Sequence, residues 1–177
     1  MRQFLDGILS IETLNNTGTL KPSLEQPLRY MLYANVITCL ETYLSDAFIT
    51  TVKHDEKLLR RFVETFHDFK DEKFSLAEIF ARYDSIHEFA VTSMASVIYH
   101  NLPKVSGMYR DTLGIQFPKD LKSLYKAVLV RHDIVHRNGK DKTGKFHSVS
   151  ANDIDTLLID VKVFVEHIQG FLLIDQI

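Results

Sequence analysis

From Leu24 to about Val52 apolar residues recur so densely that a helix built from them is hydrophobic almost all round, through Leu28, Met31, Leu32, Val36, Leu40, Tyr43, Leu44, Ala47 and Phe48. A helix of that kind must be wrapped by others, so it belongs at the centre of a bundle. The rest of the chain supplies candidates for the wrapping. Residues 2 to 14 read as a short helix that ends at the turn-like Asn15-Asn16-Thr17-Gly18. Ser23 with Gln26 three residues on resembles a capping box at the start of the central helix, behind Pro22. Residues 55 to 69 keep amphipathic spacing through Leu58, Leu59, Phe62, Val63 and Phe66, and Ser75 with Glu78 opens a further helix to about His100, with a break expected near Asp84.

Pro103 to Phe117, with Gly107 and Gly114, reads as the longest irregular connection. Pro118 and Asp120 then open a helix that runs to about Arg137 and stops at Asn138-Gly139. A loop or short hairpin around Gly144 follows. Ser150 and Asp153 mark the last start, after which Ile154, Leu157, Leu158, Val161, Val165, Ile168 and Leu172 hold i, i+3, i+4 spacing. Period-two alternation is confined to residues 145 to 150. The expected class is all-α, an up-and-down helical bundle with short loop decorations, formed by residues 1–177 as one domain.

A chain of 177 residues with 45% apolar content can bury a substantial core. Its single cysteine, Cys39, lies inside a helical pattern, which leaves no disulfide framework and no cysteine-based zinc knuckle within one chain. A reducing, cytoplasmic setting is expected. Asp6 arrives early and no long apolar run stands behind it, so no signal peptide is expected, and no stretch reaches membrane-spanning length without charge. The net charge of −2 argues against a nucleic-acid partner until its distribution is considered. Residues 119 to 147 hold eight Lys/Arg against three Asp, a local +5, while the remainder holds 13 basic against 20 acidic residues, or −7. An excess of this size on one helix and its loop is compatible with a solvated face as well as with a phosphate-binding one.

The same segment holds the chemistry. On a helical wheel with Leu121 at the origin, Leu124, Tyr125, Val128 and Val135 fall within about 60° of one line, and His132 about 20° from it. That line is the expected buried stripe. Arg131 and His136 come out about 140° apart, at opposite edges of the stripe, so one helix does not aim both at a single point. Two copies about a two-fold axis could bring the Arg of one near the His of the other.

The string Arg131-His132-Asp133-Ile134-Val135-His136-Arg137-Asn138-Gly139, near a helix end and followed by a final amphipathic helix, resembles the R-x4–6-H motif of HEPN domains. The run Cys39-Leu40-Glu41-Thr42-Tyr43-Leu44-Ser45-Asp46 is similar to the long early helix of defence-associated members. The resemblance implies a HEPN-type bundle and a metal-independent endoribonuclease of toxin or phage-defence type, working as a homodimer on RNA without a cofactor, in some settings beside an antitoxin or regulatory partner. It implies that Arg131 holds the scissile phosphate, that His136 is general base or acid, and that products end in a 2′,3′-cyclic phosphate. His132 takes a motif position that is often polar.

These residue types suit that chemistry. Imidazole titrates near neutrality and can take the proton of an attacking 2′-hydroxyl, and a guanidinium can meet the charge growing on the phosphate. Asp133, Arg137, Asn138, Glu41 and Asp46 are supporting or substrate-binding candidates. Each also has a plainer reading. Asp133 and Arg137 are spaced for an i, i+4 ion pair of about 0.2–0.5 kcal/mol, His136 for a favourable charge at a helix C-terminus, and Glu41 and Asp46 for carboxylates on a buried helix that need partners. His132 and His136 also form H-x3-H, with His147 as a conceivable third metal ligand, but the Glu of a zincin is missing. A non-catalytic HEPN module that binds a nucleotide or protein and serves as a dimerising scaffold is the alternative function.

Overall fold

The computed structural model describes residues 1–16, 21–70 and 72–174. Among them are seven α-helices and no strand: α1 (Arg2–Asn15), α2 (Pro22–Lys53), α3 (Glu56–Thr65), α4 (Ile79–Ala95), α5 (Leu102–Leu113), α6 (Lys122–Arg137) and α7 (Ala151–Ile174). Two short 3-10 turns, His67–Phe69 and Leu76–Glu78, precede α4. The chain is all-α, as its periodicity predicts. Thr17 and Gly18 of the expected first turn lie outside the described residues.

Two compact units divide the chain. The first joins Met1–Tyr43 to Pro118–Gly170 and so holds α1, most of α2, α6 and most of α7. Its core is mostly aliphatic, with Phe4, Tyr43 and Phe164 among its members: Ile8 and Ile11 of α1, Val36, Ile37 and Leu40 of α2, Leu124 and Ala127 of α6, and Ile154, Val161 and Ile168 of α7 are buried. Asn15, also buried, donates from Nδ2 to Asp155 Oδ1 at 2.7 Å and to the Ala151 carbonyl at 3.1 Å, so the end of α1 is tied to the start of α7. Lys162 of α7 pairs with Glu12 of α1.

The second unit takes Leu44–Phe117 with the chain from Phe171 onward. Its core centres on an aromatic cluster. Phe48, Phe62 and Tyr109 meet with ring centroids 5.2–5.7 Å apart, and the buried Tyr109 hydroxyl donates to the Leu44 carbonyl at 2.7 Å. Within it α3 packs against α5 and α4.

Three sequence expectations are corrected. The supposed irregular segment from Pro103 is α5: Asn101 accepts from Lys104 N at 3.4 Å as its cap, Pro103 sits in the first turn where its missing N–H costs nothing, and Gly114 ends the helix at φ +74°. One proline and two glycines suggested a loop, but the proline and the last glycine mark the helix ends. At Ser23 there is no capping box, because α2 already begins at Pro22 and Gln26 instead donates to the Val149 carbonyl. No break occurs at Asp84, which lies inside α4. The boxes at Ser75–Glu78 and Ser150–Asp153 are both present.

Candidate functional site

The site candidates on α6 divide between two sides of that helix, and not as the wheel had them. Leu121, Leu124 and Ala127 are buried and Arg131 and Ile134 half-buried, whereas Tyr125 is 40% exposed, Leu129 65% and Val135 50%. His132 and His136 are exposed with them. The expected buried stripe through Tyr125, His132 and Val135 is therefore overturned. Two apolar stripes run along α6, and a wheel registers both without telling which one meets the core.

On the inner side, Arg131 reaches α2, where its Nη2 lies 3.7 Å from Glu41 Oε1. The Arg131 side chain is only 16% exposed, and its Nε has no hydrogen-bond acceptor among the described residues. A buried guanidinium needs a carboxylate to offset its lost hydration, and Glu41 supplies it, as expected of a carboxylate on this helix. Asp46, by contrast, is exposed and falls in the second unit, where its charge helps to raise the pKa of Tyr99. Burial is the larger cause of that shift.

On the outer side, the imidazoles of His132 and His136 lie one turn apart with ring centroids 4.7 Å from each other. Between the two sides stands Asp133, whose Oδ1 accepts from Arg137 Nη1 at 3.0 Å and whose Oδ2 lies 2.9 Å from His147 Nε2. An ionised carboxylate only accepts, so Nε2 of His147 carries the proton. These contacts hold the Asp133 carboxyl below the usual carboxylate range, through the hydrogen bond from His147 first and then the charges of Arg137, His147 and His132. The i, i+4 pair of Asp133 and Arg137 is thus formed, with His147 added to it.

The loop after α6 explains why His147 arrives there. Asn138 turns left-handed at φ 53° and Gly139 follows at φ +80°. Gly139 N donates to the Asp133 carbonyl at 3.0 Å, closing the helix end. Asp141 Oδ1 then accepts from Thr143 N, Thr143 Oγ1 and Lys145 N at 2.7–3.0 Å, folding the loop back so that Lys140 and Phe146 form an isolated antiparallel bridge. His147 N donates to the Gly139 carbonyl at 2.8 Å. Tyr30 of α2 fastens the loop from below: its hydroxyl donates to the His147 carbonyl at 2.5 Å, and its ring lies where a Cβ on residue 139 would be. Only glycine fits there, since both the left-handed backbone and the ring exclude a side chain.

Sequence reasoning placed Asn138 and Gly139 correctly as the helix stop. It did not find Tyr30, which carries no motif, and it considered His147 only as a metal ligand. Among the described residues no three His, Cys, Asp or Glu side chains converge to hold a metal ion. His147 is turned to Asp133 instead.

The arrangement joins a fixed guanidinium, an exposed histidine pair and a charged network at the end of one helix. The RiboL-PSP-HEPN family model matches this chain over residues 4–173. The chain belongs to the RiboL-PSP-HEPN family. HEPN domains are commonly ribonucleases and typically bind RNA. None of the curated proteins and none of the solved structures compared with this HEPN chain matches it. Among the described residues, no helix is long and apolar enough to cross a membrane.

Proposed function

We propose that this HEPN domain, taken as residues 1–177, is a metal-independent endoribonuclease of toxin or phage-defence type that cleaves RNA by 2′-hydroxyl attack in a site shared between two copies of the chain. The observation that carries this reading is the pairing of His132 and His136 on the exposed side of α6, bordered by the exposed Tyr125, Leu129 and Val135. Exposed apolar side chains around titratable ones suit a surface that a second chain covers, and covering it would remove water from the histidines.

In this reading His136 is the general base or acid, because an exposed imidazole is accessible to a 2′-hydroxyl. Arg131 holds the scissile phosphate, and Glu41 keeps its guanidinium in place. Asp133, braced by Arg137 and His147, fixes the last turn of α6, and Asn138 sets its end. The basic residues of the loop, Lys140, Lys142 and Lys145, offer further phosphate contacts.

One observation favours the alternative of a non-catalytic, dimerising HEPN module: Arg131 is already occupied by Glu41 and lies on the inner side of α6. Purified protein incubated with total cellular RNA in EDTA separates the two. Cleavage leaving 2′,3′-cyclic phosphate ends, and lost in both Arg131→Ala and His136→Ala, is the expected result. A dimer that binds partners but leaves RNA intact decides for the scaffold.

A further inference from the structure

His132 and His136 have a geometry that general acid–base chemistry does not call for. They lie at i and i+4 on one exposed side of a helix, so the backbone sets both side chains one turn apart on that side, and no hydrogen bond among the described residues occupies either ring. Their centroids are 4.7 Å apart and the ring planes are inclined by 47°. A metal ion about 2.0–2.1 Å from one nitrogen of each ring would stand roughly 3.2 Å from each ring centre. Centroids 4.7 Å apart then subtend about 95° at the ion, close to the cis angle of an octahedral or tetragonal site and within reach of a closed tetrahedral one.

We propose that His132 and His136 together form a two-ligand site for a divalent cation that favours imidazole, Zn2+ or Ni2+, and that the bound ion silences the domain. Neutral imidazole is a preferred ligand of such ions. With only two ligands from one chain the remaining positions are open, so the ion is held less firmly than a structural zinc bound by four. Among the described residues no third ligand converges there, and Asp133, next in sequence to His132, is engaged by His147 and Arg137.

The silencing rests on the ribonuclease reading above, whereas the binding does not. A nitrogen lone pair donated to a metal cannot take a proton from a 2′-hydroxyl, so an occupied site removes His136 from acid–base work. The ion here opposes the reaction, and a chelator raises activity.

Calorimetric titration of metal-stripped protein with ZnCl2, and separately with NiCl2, tests the site without RNA. One saturable event in the wild type is expected, lost in His132→Ala and in His136→Ala, lost again in His132→Asn, and retained in His147→Ala. Helical circular dichroism of each variant shows that the loss is local. Wild type without saturable binding, or binding that survives either alanine variant, overturns the site. In parallel, RNA cleavage by the wild type is followed with ZnCl2 and then excess EDTA. Inhibition reversed by the chelator supports the silencing, and cleavage unaffected by a saturating ion overturns it. Binding through both histidines in a protein that never cleaves RNA supports the metal site and counts against the ribonuclease reading.

Discussion

Two helices of this protein expose the same kind of stripe and differ in what lies behind it. Leu76, Phe80, Tyr83 and His87 follow one another at i, i+4, i+7 and i+11 from the 3-10 turn into α4, and the first three are 76–83% exposed. Tyr125, Leu129, His132 and His136 repeat that spacing on α6. Around the α4 stripe lie a cavity of about 320 Å3 lined by apolar residues such as Phe69, Ile79 and Phe89, and a capping box. Behind the α6 stripe stand a guanidinium held by Glu41, a carboxylate held by Arg137 and His147, and a loop closed by its own aspartate. Apolar exposure alone speaks of a surface to be covered. Exposure joined to anchored charges speaks of chemistry, since catalytic groups must be held by others to keep their geometry.

The sharpest test of that contrast is His136→Ala, which should lower RNA cleavage by about 100- to 10,000-fold, the usual worth of a general acid or base, while helicity stays unchanged. An equal loss from His87→Ala, in the matching position on α4, would break the comparison. Next in size is the difference between the two sides of α6. Leu124→Ala, in the core, should destabilise the protein by about 2–5 kcal/mol in urea titrations, whereas Leu129→Ala should leave monomer stability nearly unchanged and weaken self-association, read by analytical ultracentrifugation.

Gly139→Ala should cost about 1–2 kcal/mol for the left-handed backbone alone, with the collision against Tyr30 added, and thermal melts measure it. Asp133→Asn sharpens the electrostatic side. Because the native carboxyl titrates below its unfolded value of about 3.9, its contribution is complete above that pH and is lost as pH falls through the lower native value. Melting temperatures of wild type and variant should accordingly differ near neutrality and converge in acid. The smallest effect is expected from Phe80→Ser, within about 0.5 kcal/mol either way, because a side chain 80% exposed contributes little to the fold. A larger loss would mean that the α4 stripe is part of the core after all.

Much of the fold was legible because helical periodicity is local. The long α2, the amphipathic α7 and the boxes at Ser75 and Ser150 are each specified within a few residues. The α5 helix was hidden because Pro103 and Gly114 act as terminators or as interrupters depending on register, and register is fixed by the burial of Leu102, Val105 and Tyr109. The candidate site was legible as a string of residues but not in their orientation. Arg131 turns inward because Glu41 awaits it on α2, 90 positions earlier in the numbering, and nothing near Arg131 announces that partner. Asp46, five residues after Glu41, looked equivalent in the sequence and lies in the other unit.

The bond between Tyr30 and the His147 carbonyl spans 117 positions, and that between Asn15 and Asp155 spans 140. During synthesis at about 5–20 residues per second, Tyr30 waits roughly 6–23 s for the loop that it fastens. Until then His147 has not met Asp133. A nascent chain on the ribosome, surrounded by RNA at close range, therefore carries its histidine helix unbraced until His147 has been added and has met both Tyr30 and Asp133.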